Sequence, residues 1–67
     1  MAMATARDYA KTHSKEALRV QVALYREQVK SLNRAKANAS EEEVRRLCER
    51  IADTRELLRA FEKEAAQ

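Results

Sequence analysis

The sequence predicts an all-α fold, a two-helix antiparallel coiled-coil hairpin, and three observations carry that expectation. The 67 residues contain no Gly and no Pro, the two residues that most readily interrupt a helix. Apolar residues recur in alternating steps of three and four along two separate stretches, the spacing of a coiled-coil seam. The stretches also match each other: Leu32 with Val44, Val29 with Leu47, Tyr25 with Ile51, Val22 with Thr54 and Leu18 with Leu58 have numbers that each add to 76. A hairpin turning near residue 38 requires a constant sum, and such agreement between local pattern and topology marks a specified fold.

The first helix is expected over about residues 5–35, with Leu18, Val22, Tyr25, Val29 and Leu32 on its seam. Nearer the amino terminus the same sum sets Lys15 opposite Phe61 and Lys11 opposite Ala65, so ammonium groups fall on the seam and the pairing frays. Thr12 or Ser14 can cap a fresh start there. Residues 5–13 therefore stay open between a continuation, a separate short helix and a segment ordered by a partner.

The turn is expected over 36–40, where Asn38 is the residue best suited to a left-handed or turn conformation when Gly is absent. Ser40 starts the second helix, over about 41–65, as one half of a capping box with Glu43. Glu41, Glu42 and Glu43 place negative charge at the positive end of that helix. Its seam runs Val44, Leu47, Ile51, Thr54, Leu58, Phe61 and Ala65, with Thr54 its polar member.

Residues 1–67 thus make one small domain, and a core of this size gains from self-association. A staple cannot replace it, since Cys48 is the only thiol; on the shoulder of the seam it reads as a small apolar residue without assigned reactivity. The expected oligomer is a homodimer forming a four-helix bundle. The longest apolar run, Val22 to Tyr25, is far below the roughly 20 residues of a membrane span, and no secretion-signal pattern opens the chain. A cytoplasmic protein is expected.

Helix periodicity separates two further faces on the first helix. Lys15, Arg19, Arg26, Lys30 and Arg34 form a basic flank, and residues 1–36 carry eight Lys or Arg against three Asp or Glu. Tyr9, His13, Ala17, Val20 and Leu24, joined by Ala6 and Ala10, form a second apolar face more than about 90° from most of the seam. A hairpin cannot bury that face, so a second copy or another protein is expected to cover it. Tyr9, outside the seam, is the aromatic expected at an interface.

Catalytic chemistry lacks its parts. Without Gly there is no phosphate-cradling loop or nucleophile elbow, and one His, one Cys and scattered carboxylates make no constellation. No metal, no cofactor and no enzymatic activity are expected. His13 reads as a packed or partner-facing residue.

Two families share this layout. The hairpin with Lys15, Arg19, Arg26 and Lys30 on one face resembles the plasmid-copy-number regulator Rop, over the architecture of residues 14–65. That resemblance implies a dimeric four-helix bundle gripping paired RNA loops through its first helices. The stretch Ala17-Leu18-Arg19, followed by a heptad helix, a turn and a second heptad helix, is similar to the small E-type co-chaperones of type III secretion needles, which implies binding a partner chaperone through a helical face.

The leading expectation is a protein-binding regulator, an inhibitor, adaptor or co-chaperone, that docks on an acidic-rimmed groove of a larger protein. Arg7, Tyr9, Lys11, His13, Ala17, Arg19, Val20 and Leu24 are its candidate contacts. The alternative is a Rop-like RNA-binding regulator using Lys15, Arg19, Arg26, Lys30 and Arg34.

Overall fold

The computed structural model describes residues 5–67, so residues 1–4 of the expected domain lie outside the described residues. The described residues form three helices and no strand: α1 (Ala6–Thr12), α2 (Lys15–Lys36) and α3 (Glu41–Ala66). Of the alternatives open for residues 5–13 the separate short helix is the one observed, so the helix drawn over 5–35 is broken at His13 and Ser14.

Local chemistry explains the break. Thr5 and Asp8 make a complete capping box, with Asp8 N–H donating to Thr5 Oγ1 at 3.2 Å and Thr5 N–H donating to Asp8 Oδ2 at 3.3 Å. At the other end His13 is extended, with φ −130° and ψ 156°. Thr12 Oγ1 and His13 Nδ1 lie 3.2 and 2.9 Å from the Tyr9 carbonyl, one of the acceptors a helix end leaves open. Ser14 then caps α2 by accepting from Ala17 N–H at 3.1 Å. Two good N-caps nine residues apart favour two helices, and packing of Ala6, Tyr9 and Ala10 on the Phe61 cluster rewards the bend.

The Asp8 carboxyl is held below its ordinary value of 3.8, first by the Thr5 backbone hydrogen bond and then by the Thr5 hydroxyl, with smaller help from Lys11 and Arg7. A depressed carboxylate stabilises the fold above 3.8 and loses that contribution as pH falls through the lowered value. Backbone amides of Tyr9–Thr12 should therefore lose exchange protection during acid titration before those of α3. An Asp8→Asn variant should not show that separate step.

α2 runs one residue past its expected end, and α3 one residue past its own. The turn uses Ala37 N–H to Arg34 O at 3.2 Å and Ala39 N–H to Lys36 O at 3.3 Å, the tightened bonds of a helix terminus. No described residue has positive φ, so Asn38 serves as a turn residue and not as a left-handed one. Ser40 caps α3 through Glu43 N–H at 3.3 Å; only this half of the expected box is made.

The core gathers where the three helices meet. Leu18, 2% exposed, is buried with Ala6, Val22 and Phe61, and Tyr9, Ala10, Tyr25, Leu58 and Ala65 pack around them. Leu32, Ile51 and Thr54 are buried nearer the turn. The Thr54 hydroxyl donates to Arg50 O at 2.7 Å, which removes the roughly 1–3 kcal/mol cost of an unsatisfied buried polar group.

The expected side-chain pairing is displaced. Phe61, expected against Lys15, instead lies with its ring centroid 5.4 Å from Tyr25 and 5.3 Å from Tyr9. Arg26 Nη2 reaches Glu62 Oε2 at 2.7 Å. These cross-helix pairs have number sums of 86 and 88, not 76. Side chains lean toward their own helix's amino end, so in an antiparallel pair Tyr25 leans away from the turn and Phe61 toward it, and they converge.

Lys15, which the seam pattern sets against a ring, caps α3. Its Nζ donates to Glu64 O at 2.8 Å and also to Gln67 O, placing a cation where the helix dipole is negative. Cys48, expected on the core's shoulder, is exposed. The Cα trace measures 41 × 27 × 13 Å, no thicker than about one pair of packed helices with axes 8–10 Å apart.

Candidate partner-binding face

The break at His13 divides the apolar face that the periodicity draws as one stripe. Its amino-terminal members turn inward: Ala6 is buried, and Tyr9 and Ala10 are half-buried against the Phe61 cluster. Tyr9 stands edge-on to Phe61 at 75° and is stacked on His13 with centroids 3.6 Å apart. It thus belongs to the packing of the protomer as well as to the candidate contacts. His13 is exposed beyond it, with its Nδ1 directed at the end of α1.

The α2 members remain outside. Val20 is 52% exposed and Leu24 57% exposed, one helical turn apart, with half-buried Ala17 a turn before. Arg7 and Lys11 on α1 and Arg19 on α2 are exposed as well, Arg19 on the side of α2 that carries Arg26. The structure therefore keeps Ala17, Val20 and Leu24 together on one helix and sets Tyr9 on another. Sequence reasoning missed Leu57 of α3, 43% exposed. A signal existed: Leu57 adjoins the seam residue Leu58, and neighbours on a helix point about 100° apart.

The basic flank is largely engaged within the chain. Lys15 caps α3, Arg26 pairs with Glu62, and Lys30 Nζ lies 3.5 Å from Glu27 Oε1. Arg19 and Arg34 make no ion pair among the described residues. An open groove beside this flank is lined by Arg19, Val22, Ala23, Arg26, Glu62 and Ala65. Its floor is short apolar side chains, and its one carboxylate is already paired with Arg26.

Among the described residues no three His, Cys, Asp or Glu side chains converge to hold a metal ion, and no helix is long and apolar enough to cross a membrane. No protein-family model, no curated protein and no solved structure matches the chain.

Proposed function

We propose that this chain is a non-enzymatic, cytoplasmic protein-binding regulator, an inhibitor, adaptor or co-chaperone that works as a homodimeric helical bundle. It docks through the outward face of α2, with the exposed basic residues Arg7, Lys11 and Arg19 as further contacts. The observation that carries this reading is the exposure of Val20 and Leu24 on a helix whose other apolar stripe is already buried. Covering the half of each side chain that is still in water would add roughly 1 kcal/mol apiece, so their adjacency is best accounted for by a covering surface. The cations supply orientation and a faster encounter with an acidic rim.

The Rop-like reading takes second place because three of its five cations are committed inside the chain. A phosphate would have to displace Glu62 from Arg26 and the α3 carbonyls from Lys15. Phosphate recognition is also strongly salt-dependent, which makes it easy to recognise.

A photo-crosslinker placed at Arg19 in lysate of the source cell, with and without nuclease, separates the two. Protein adducts insensitive to nuclease are expected, with no submicromolar binding of structured RNA at physiological salt. RNA binding of that strength, lost when Arg19 and Arg34 are both changed to Glu, reverses the order.

A further inference from the structure

α2 carries a second seam. Ala17, Gln21, Leu24, Gln28, Ser31 and Ala35 follow one another in steps of four, three, four, three and four, and none is charged. In a chain with 37% charged residues, an uncharged stripe six positions long is a departure from the surrounding surface. From Leu24 onward every member is exposed. The stripe lies about 100° from the buried seam of α2, and Val20 borders it.

Leu57 belongs to the same side of the molecule. The Arg26–Glu62 pair marks one edge of the α2–α3 contact. At about 100° per residue, Leu24 on α2 and Leu57 on α3 both fall beyond the opposite edge.

The flat, elongated protomer has surface to spare for an interface. The protomer exposes 5420 Å², whereas a compact monomer of 7.7 kDa exposes about 4,300 Å² by the usual mass scaling. The excess, about 1,100 Å², exceeds the roughly 800 Å² that one partner buries in a standard interface.

Resting on the reading of this face as a docking surface, we propose that its occupant is a second copy of the chain, with α2 packed antiparallel on α2 about a two-fold axis. The stripe is self-complementary. When residue numbers across the axis add to 52, Ala17 faces Ala35, Gln21 faces Ser31 and Leu24 faces Gln28, so all six positions are matched twice over. Shifting the register by one heptad leaves positions at an end without partners.

Charge is compatible with that register. Glu16 and Arg34 lie on one flank of the stripe at opposite ends, and the two-fold axis brings each Glu16 beside the other copy's Arg34. Glu27, which lies on the same flank within reach of Lys30, meets its own copy near the axis. Small residues at both ends allow close approach of the backbones, while Gln21, Gln28 and Ser31 offer hydrogen bonds at polar seam positions, the device that fixes register in coiled coils. Val20 and Leu57 close over the rim.

Sedimentation equilibrium of the full chain from 1 to 100 µM tests the proposal, with a mass twice 7.7 kDa expected. Val20→Glu with Leu24→Glu should raise the dissociation constant at least a hundredfold without loss of helical circular dichroism, both side chains being exposed. Gln28→Glu, a change at a polar exposed position that cannot unpack the protomer, should raise it about tenfold. In a Cys48→Ala background, mixing Leu24→Cys with Gln28→Cys should yield the mixed disulfide faster than either variant alone forms its own. A wild-type chain that is monomeric at 100 µM overturns the dimer, and the docking reading then still stands or falls on protein adducts captured at Arg19. A dimer indifferent to all three face substitutions overturns the face, and dominant Leu24→Cys homodisulfide overturns the register.

Discussion

Phe61→Ala is expected to destabilise the protein by about 3–5 kcal/mol, the largest loss for any single truncation in this chain. Phe61 is buried where α1, α2 and α3 meet, against Leu18, Val22 and Ala6, and its ring contacts both tyrosines. Truncation therefore removes transfer free energy, leaves a cavity bounded by all three helices, and abolishes two aromatic contacts worth about 0.5–1.5 kcal/mol each beyond area. A chain of 67 residues has a total stability of only ~3–10 kcal/mol. Urea titration followed by circular dichroism, at one fixed protomer concentration, should show a variant largely unfolded at 37 °C. Phe61→Leu should retain most of the stability. A loss below about 1 kcal/mol for Phe61→Ala would show that the core lies elsewhere, near Leu32 and Ile51.

That the core centres on Phe61 was only half legible in the sequence. Of the twelve residues the heptad pattern identifies as inward-facing, Leu18, Val22, Leu32, Ile51, Thr54 and Phe61 are buried and the other six half-buried. The helix starts at Ser14 and Ser40 could be read because capping is local chemistry. Whether a separate short helix precedes Ser14 stays open in the sequence, because it depends on a trade between continuing one helix and folding α1 back onto α3, which only the folded partner surface decides. Lys15 shows the same limit. Counted as a seam residue it looks like a defect, yet its four-carbon stem lets the ammonium reach past the seam to the carbonyls ending α3. Side-chain register was misjudged because a sum of residue numbers tracks backbone levels, whereas Tyr25 and Phe61 meet at their ring ends.

The candidate site divides in the same way. Exposure of Val20 and Leu24 follows from periodicity, since a residue about 120° or more from the buried stripe of a hairpin has nothing of its own chain to touch. Tyr9 carried the same periodic signal and landed differently because its helix moved with it. Candidate contacts inferred from a helical wheel hold only while the helix is continuous.

Ala6→Glu is expected to release α1 while sparing the α2–α3 pair. Ala6 is 6% exposed and packed in the Leu18–Val22–Phe61 cluster, where a carboxylate would lose its hydration without gaining a hydrogen bond or a cation. Burying an unpaired ion costs several kcal/mol. The docking of seven residues through Ala6, Tyr9 and Ala10 is too small an interface to absorb that cost, so the helix comes off in preference to holding the charge inside. Once free, α1 is far shorter than the roughly 12–15 residues at which isolated helices become even marginal, and it melts. Seven of the 55 helical residues among those described are then lost, and far-UV ellipticity should fall by about one eighth. Amide protection should vanish from α1 and persist through the middle of α3. Tyr9→Ala should move in the same direction by a smaller amount, since it removes the edge contact with Phe61 but introduces no charge. Unchanged ellipticity with α1 amides still protected would mean that Ala6 lies beside water in solution. Release of α1 also separates two kinds of contact on the amino-terminal half of the molecule: Arg7 and Lys11 leave with α1, while Arg19, Val20 and Leu24 keep their places on α2. A partner that still binds the Ala6→Glu variant therefore reads α2, and one that is lost reads the docked arrangement of both helices.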